Sequence, residues 1–353
     1  MRRYAGLGVT LAVLWVLGWL ASPGPVQPLA IDVPPHDAAR WAPGPWFEGS
    51  LRVELSDAHG PEDVEVDAAG RVFAGVADGR ILRWDSVDSE PVTLADTGGR
   101  PLGLHWAPDG RLIIADAFSG LLAMHPDDGA LTTLATRCGG TQLVFTDDVE
   151  VAPDGTVWFT DASSRHDQAH WKRDVLETRP AGRLCRWRPG APEAELVLDG
   201  LWFANGIALD GSGQFALVVE TSRHRVRKVW IAGPKAGTDS VLIDDLPGYP
   251  DGISAGTGGT FWLAIASPRK GALDRLGPWP AARRVVAKLP AWAQPAPERT
   301  ARVIGIDGDG RVLHDRMDPA GEHIHVVTSV QERGGTLWLG SLVDNAWVRV
   351  PRP

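Results

Sequence analysis

The chain has 353 residues, with 41 glycines, 28 prolines and a formal net charge of −9 at neutral pH. This acidic balance argues against a nucleic-acid partner, because a protein needs a basic surface to displace counterions from phosphates. The many turn-forming residues, and the lack of long apolar stretches at helical spacing, favour short strands over a helical or doubly wound fold. Length alone allows two domains, but all-β repeat folds of this size commonly form one.

The N-terminus begins with Met1, Arg2 and Arg3 and continues as an uncharged, mostly apolar run over residues 4–21. A helix of about 18 residues spans about 27 Å, which is just enough for a bilayer core. The arginines would stay in the cytoplasm, so the rest of the protein would lie on the extracytoplasmic side, periplasmic or extracellular. We predict an N-terminal membrane anchor helix. The alternative is a cleaved signal peptide and a secreted protein, although Trp19 stands where cleavage requires a small residue.

Residues 23–50 are rich in proline and are predicted to form an extended linker with no packing pattern. The folded domain is predicted to span residues 51–353. Its first stretch, residues 51–55, alternates like a strand but has no hairpin partner next to it in the sequence. The two cysteines, Cys138 and Cys185, leave two interpretations open: one disulfide in an oxidising compartment, or two buried thiols.

One short pattern recurs along this domain. In five copies a β-prone strand starts eight positions before a turn glycine, and a looser sixth copy starts at Thr328. The five pairs are Glu62 with Gly70, Leu102 with Gly110, Asp147 with Gly155, Asn205 with Gly213, and Asp251 with Gly259. Units of about 40 to 60 residues with four short strands each predict an all-β fold, a six-bladed β-propeller. The sixth unit supplies three strands, so residues 51–55 are expected to provide its outer strand and close the ring.

The first residue of each innermost strand is expected to face the central channel. Glu62, Asp147, Asn205 and Asp251 would then converge, and all four offer oxygen rather than sulfur or imidazole. This set suits a hard cation such as Ca²⁺ better than zinc. The alternative is that these residues only form turns, but turn formation does not account for Glu62.

Two insertions interrupt the repeats. Residues 164–179 form a polar insertion in the third unit, and residues 269–297 form a basic one, with Trp279 and Trp292, in the fifth. The first is expected to influence substrate choice as a loop at the channel mouth. Basic residues beside tryptophans indicate either a segment resting on anionic lipid headgroups or a helix packed over the fifth blade.

Eight short runs within roughly residues 45–351 resemble one protein family, in that family's order. They are GPE at 60–62, DGRI at 78–81, RPLGL at 100–104, IADA at 114–117, FTDASS at 159–164, GPKAG at 233–237, LPGYPD at 246–251 and TSVQE at 328–332. The family is the strictosidine synthase-like branch of the SMP-30/gluconolactonase/paraoxonase propellers. The likeness is greatest to its membrane-anchored, adipocyte plasma membrane-associated protein type.

The resemblance implies a catalytic Ca²⁺ in the channel, because hydrolytic members of the family hold one through a glutamate, asparagines and an aspartate. Glu62, Asn205 and Asp251 fall on those positions. Asp147 stands where the family usually has asparagine, which adds negative charge and should tighten cation binding. Gly252 replaces an asparagine that some members use as a further ligand.

The histidine dyad that paraoxonases are thought to use is not evident, since Leu102 occupies one of its positions. His105 is a strand residue whose facing the sequence does not fix. Condensing synthases of the family use a last-blade glutamate as general base on an amine, and Glu332 resembles it in context. A solvated carboxylate at a hairpin end is the alternative for Glu332.

The sequence therefore predicts a membrane-anchored, Ca²⁺-dependent hydrolase of small-molecule lactones or aryl esters. Asp148 or Glu332 is expected to activate water. Two alternatives remain: a binding or scaffold propeller without catalysis, and a metal-free condensing enzyme that uses Glu332.

Overall fold

The computed structural model describes residues 22–353, so the predicted anchor in residues 4–21 lies outside the described residues. Within residues 22–353, no helix is long and apolar enough to cross a membrane. These residues form six sheets, each built on four antiparallel strands. The innermost strands contact one another in cyclic order, the last against the first. This arrangement confirms the six-bladed β-propeller.

The strands of blades 1 to 5 follow one another from the channel outwards. Blade 1 comprises Val64–Val66, Val72–Gly75, Arg80–Trp84 and Val92–Asp96. Blade 2 comprises Pro101–Trp106, Leu112–Asp116, Gly120–Met124 and Leu131–Ala135. Blade 3 comprises Thr146–Val151, Val157–Asp161, Gly182–Trp187 and Glu195–Leu201.

Blade 4 comprises Ala204–Leu209, Phe215–Glu220, Arg225–Trp230 and Asp239–Ile243. Blade 5 comprises Gly248–Ala255, Thr260–Pro268, Ala301–Asp307 and Val312–Asp318, with Gly44–Pro45 added in parallel at its edge. Blade 6 comprises Val327–Arg333, Thr336–Ser341 and Ala346–Pro351, and its outer strand is Leu51–Glu54. A two-residue hairpin pairs Arg137–Cys138 with Thr141–Gln142.

The ring closes as the sequence predicts. Leu51 pairs with Arg349 and Glu54 pairs with Ala346, in antiparallel register. The five turn glycines of the repeat all have positive φ, between 68° and 86°, which a glycine adopts without steric cost. The recurring glycine therefore marks the tight turn between the first and second strand of a blade.

One buried apolar cluster fills each of the six spaces between neighbouring blades. Large side chains of the inner strands dominate these clusters, for example Phe73, Phe159, Trp158, Leu217, Trp262 and Trp347, taking one from each. Burial of aromatic and branched side chains is the main favourable term in packing sheet against sheet. These interfaces fix the blades around the channel and hence the position of the channel residues.

The two insertions form a cap over one end of the channel. Helix α1 (Trp171–Glu177) belongs to blade 3, and helices α2 (Gly271–Arg275) and α3 (Pro280–Lys288) belong to blade 5. Helix α1 packs against α3. Short 3₁₀ turns lie at Ala38–Arg40, Gln168–His170, Thr221–Arg223, Gly233–Lys235, Thr257–Gly259 and Ala291–Ala293.

The expectation that residues 23–50 lack packing is wrong. The segment is mostly extended, as its prolines require, but its apolar side chains are inserted into the fold. Val26 is buried between Leu176 of α1 and Ala287 of α3, and Phe47 is buried in the cluster between blades 5 and 6. Residues 22–35 therefore form a strap across the cap.

Cys138 and Cys185 form a disulfide, so the structure selects one of the two open interpretations. The bond joins the small hairpin after blade 2 to the third strand of blade 3. Both cysteines are fully buried. The disulfide therefore links neighbouring blades across an interface that apolar packing already holds.

Candidate functional site

The floor of the capped cavity is built from one residue of each blade. The first positions of the six sequence repeats all line it, as predicted: Glu62, Leu102, Asp147, Asn205, Asp251 and Thr328. The cavity has a volume of about 970 Å³, counting the open space at its mouth. The structure thus brings together the four predicted ligands in blades 1, 3, 4 and 5. Leu102 and Thr328 complete the ring without adding charge.

The floor concentrates negative charge in a buried place. Burial, followed by the charges of Asp251 and Asp147, raises the pKa of Glu62 well above its ordinary value. Burial and the charge of Asp251 do the same to the pKa of Asp147, while Arg100 opposes both shifts. Burial raises the pKa of Asp251 to about 7, with a hydrogen bond from Asn205 acting against it. These carboxyl groups are held with too little positive charge nearby to ionise together.

The donor set fits a hard divalent cation in chemistry. Carboxylate and amide oxygens are ligands that Ca²⁺ accepts, and Oδ2 of Asp147 is buried without a hydrogen-bond partner. Within residues 22–353, however, no three His, Cys, Asp or Glu side chains stand close enough to hold one metal ion as they are. A bound ion would therefore draw the carboxylates together, with Asn205 as the neutral ligand.

The walls of the cavity are apolar, and a recurring aromatic position in the sequence marks them. Phe145, Phe203 and Tyr249 each lie two residues before a floor residue, in blades 3, 4 and 5. Alternation in an extended chain points residues two apart to the same side, so this position lies one step nearer the mouth. Phe145 and Phe203 meet edge to face, with ring centroids 5.5 Å apart.

The cap supplies the upper walls. Trp171, Val175 and Leu176 of helix α1 face Leu273 of α2 and the stretch 294–297 across the cavity. Polar groups stand among these apolar side chains, such as Lys172, Gln168 and Lys270. A ligand would thus have apolar walls around it and the acidic floor beneath it.

Asp148 lies below the floor and serves the scaffold. Its Oδ1 accepts a hydrogen bond from the backbone of Val149 and its Oδ2 accepts one from Ile207 of the next blade, at 2.8 Å each. Asp63 bridges blades 1 and 2 in the same way, through Leu104. The structure therefore does not bring Asp148 into the cavity, where it would meet substrate.

Glu332 lies away from the cavity. Trp262 Nε1 donates to its Oε2 at 2.6 Å, and the hydroxyl of Thr257 donates to its Oε1 at 2.6 Å. Although burial alone would raise the pKa of Glu332, these bonds hold it below its ordinary value. Glu332 ties blade 6 to blade 5, and its place gives no support to a role as general base.

The close approach of two blades explains why a glycine, Gly252, occupies its position. A Cβ at this position would stand 2.5 Å from the carbonyl oxygen of Thr328 in the next blade. A side chain there would therefore force the innermost strands of blades 5 and 6 apart. The ligand that some family members carry here has no room in this chain.

His105 faces the channel, in a second layer three residues beyond the floor. Its Nδ1 lies 2.8 Å from Oε2 of Glu150 and 3.7 Å from Oε1 of Glu65. Arg333 of blade 6 donates to Glu65 at 3.1 Å. Residues three apart in a regular strand point to opposite faces, so strict alternation would turn one of the two layers away from the channel. A β-bulge in the innermost strands, such as the register shift after Thr146, brings both layers to the channel side.

Comparison with known proteins places the chain in a family. The family model for strictosidine synthase matches residues 147–234, and that for the N-terminal part of strictosidine synthase-like proteins matches residues 41–84. Protein STRICTOSIDINE SYNTHASE-LIKE 10 of Arabidopsis thaliana is 34% identical over 334 residues, covering 84% of this chain and 86% of the relative. The chain belongs to the strictosidine synthase-like family. Adipocyte plasma membrane-associated protein of Bos taurus is 29% identical over 354 residues, covering 94% of this chain and 86% of the relative.

Solved structures share the fold of this strictosidine synthase-like chain at low identity. A gluconolactonase from Xanthomonas campestris superposes with a TM-score of 0.62 at 18% identity, covering 94% of this chain and 99% of that one. A calcium-binding protein, regucalcin, from Agrobacterium tumefaciens superposes with a TM-score of 0.59 at 15% identity, covering 87% and 94%. The propeller is therefore the fold of the SMP-30/gluconolactonase proteins.

Proposed function

We propose that the protein binds Ca²⁺ through Glu62, Asp147, Asn205 and Asp251 and hydrolyses lactones or aryl esters in the cavity above them. The observation that carries the proposal is the floor itself: oxygen side chains from four blades meet beneath apolar walls, and their carboxyl groups lack compensating charge. Among proteins of this fold, a gluconolactonase and a calcium-binding regucalcin are in line with it.

In this proposal the floor residues bind the cation and the wall residues bind the substrate. When bound, the cation would supply a Lewis acid that polarises the substrate carbonyl and stabilises the developing oxyanion. Phe145 and Phe203 hold the apolar part of the substrate and exclude water from the walls. Neither Asp148 nor Glu332 opens to the cavity, so this proposal assigns water activation to neither residue.

We also propose an extracytoplasmic location for the propeller, with residues 4–21 as the membrane anchor. The disulfide between Cys138 and Cys185 supports it, since such bonds persist in oxidising compartments. The similarity to a plasma membrane-associated protein supports it as well.

The first prediction is that Ca²⁺ raises the melting temperature and that a chelator removes both this shift and hydrolysis of a lactone and aryl ester panel. A ligand bound only by the folded state stabilises that state. Asp251→Ala should abolish the shift and the activity. Asp147→Asn should weaken the binding of Ca²⁺, because one negative charge is lost, but leave activity measurable.

Two outcomes would count against parts of this proposal. A Ca²⁺ shift without any hydrolysis would leave a binding propeller without catalysis. Melting and hydrolysis that ignore both Ca²⁺ and chelator would defeat the metal-dependent mechanism. Asp109→Asn is a matched control, because that exposed carboxylate pairs with Arg111 far from the floor.

A further inference from the structure

The exposed large apolar side chains of residues 22–353 fall into two groups. Five lie one each on the outermost strands of blades 1 to 5: Val92, Leu131, Leu196, Val241 and Leu313. The other four are Phe118, Trp279, Trp292 and Val343, and each lies in a connection between the second and third strand of a blade. Those connections are at the end of the propeller where the cavity opens. We call this end, with both insertions, the mouth face.

The two tryptophans are the most exposed of the group. Trp279 is 65% exposed and Trp292 is 88% exposed, and they flank helix α3 at its start and just beyond its end. An indole ring in water is costly unless something covers it, and tryptophan is favoured where an apolar phase meets water. The mouth face thus presents two such rings on one side of the cap.

The charge of the two insertions in the mouth face is opposite to that of the whole chain. Residues 164–179 and 269–297 together hold ten Lys or Arg against four Asp or Glu, in a chain whose net charge is −9. Arg173, Arg275 and Arg284 are exposed. Basic side chains beside exposed tryptophans complement an anionic lipid surface and would repel a second copy of the same face.

The chain also enters the described structure at this face. Lys288, at the end of α3, donates a hydrogen bond to the carbonyl oxygen of Ser22 at 2.6 Å. The apolar run of residues 4–21 directly precedes Ser22 in the sequence. The described part of the chain therefore begins on the mouth face, next to the end of α3.

The strap connects the two insertions of the mouth face. The buried guanidinium of Arg283 donates to carbonyl oxygens of Leu29 in the strap, Leu176 in α1 and Gly277 before α3. The carboxylate of Glu177 accepts from the backbone of Gln27 at 2.6 Å. The strap is therefore bonded to both insertions.

We propose that the mouth face docks onto an anionic phospholipid bilayer, with Trp279 and Trp292 at the headgroup level and the cavity opening towards the lipid. This goes beyond the proposed hydrolysis and does not depend on it. Apolar molecules dissolved in the bilayer would then reach the cavity without crossing bulk water.

The test uses the full chain, labelled at one position with a polarity-sensitive dye through Trp292→Cys, since both native cysteines are in a disulfide. Ser212→Cys gives the matched control, because Ser212 is exposed in a turn at the opposite end of the propeller. The probes are vesicles of phosphatidylcholine with and without phosphatidylglycerol, each carrying a nitroxide-labelled lipid. We expect quenching at position 292 that is stronger with phosphatidylglycerol than without it and weaker at high salt, and none at position 212.

Charge reversal then tests the partner. Arg275→Glu with Arg284→Glu should lower the docking equilibrium about 20-fold or more, since each basic side chain near such a surface contributes about fivefold. Lys235→Glu, at the opposite end, should change nothing. If the dye at position 292 is quenched no more than the dye at position 212, the docking proposal is wrong. If quenching at position 292 is equally strong in vesicles of phosphatidylcholine alone, the lipid partner is not anionic. If the emission of the dye at position 292 shows a less polar environment without lipid, and this change grows with protein concentration, the face binds a second copy of the chain instead.

Discussion

At the scale of single residues, the channel holds two layers with different electrostatics. In the floor layer, burial and the neighbouring carboxylates raise the pKa of Glu62 and that of Asp147, and the nearby Arg100 opposes both shifts. In the second layer, carboxylates meet a cation directly, since His105 contacts Glu150. The carboxyl groups of the floor layer could therefore accept an added cation, whereas the charge of the second layer is already balanced by its own side chains.

The second layer predicts a pH dependence of stability. Burial would lower the pKa of His105, but Glu150 and Glu65 raise it from 6.5 to about 9. A raised folded-state pKa stabilises the protein fully below pH 6.5, and this contribution is lost as the pH rises through about 9. His105→Gln should therefore destabilise the protein at neutral pH and lose its effect in alkali.

Denaturant unfolding of both proteins across this pH range measures the difference. Burial raises the pKa of Glu65 from 4.5 to about 7, with Arg333 opposing, so the wild type should also lose stability as the pH rises from about 4.5 through 7. His125→Gln is the control, because that imidazole lies at the surface. A difference between His105→Gln and wild type that stays constant with pH would contradict the assignment.

At the scale of structural elements, the strap and cap depend on Arg283. Burial lowers the pKa of its guanidinium, which is held by backbone carbonyls from three segments. Arg283→Ala should leave these buried oxygens without partners, a cost of about 2–3 kcal/mol to the cap. We expect hydrogen exchange to speed up in residues 22–35 and in α1, while the blades keep their protection.

Arg283→Lys separates charge from geometry, because lysine keeps the cation but loses the planar fork that reaches several acceptors. It should loosen the cap nearly as much as the alanine variant does. Arg284→Ala is the neighbouring control, since Arg284 is exposed. Faster exchange throughout the propeller in Arg283→Ala would show that the cap is not an independent element.

The sequence predicts elements that repeat and misses those that occur once. Spacing to the turn glycine places Glu62 and Asp251 in the floor, because every blade obeys one geometry. The strap is missed because a proline-rich stretch contains no periodicity, although Val26 is buried. The roles of Asp148 and Glu332 are missed because their oxygens accept hydrogen bonds from neighbouring blades, from the backbone of Ile207 and the indole of Trp262, which no local pattern encodes.

At the scale of the whole molecule, ring closure has an electrostatic component. Arg52, in the strand that closes blade 6, donates to both carboxylate oxygens of Asp344, at 2.8 Å and 3.2 Å. Asp344 is buried, whereas Arg52 is about a quarter exposed. The guanidinium also donates to the carbonyl oxygen of His323 at 2.8 Å. One side chain thus ties the first strand of the ring to its last blade.

Arg52→Ala should lower the free energy of unfolding by about 3 kcal/mol, because it removes the guanidinium from the buried Asp344 carboxylate and leaves only His325 and backbone groups beside it. Arg80→Ala is the matched control: its partners Asp57 and Asp78 are mostly exposed, and such pairs contribute less than about 1 kcal/mol. Denaturant titration of both variants measures the contrast. If closure holds the ring together, Arg52→Ala should also broaden the transition, since blades 1 and 6 can then separate first. Equal losses in the two variants would mean that strand pairing alone closes the ring.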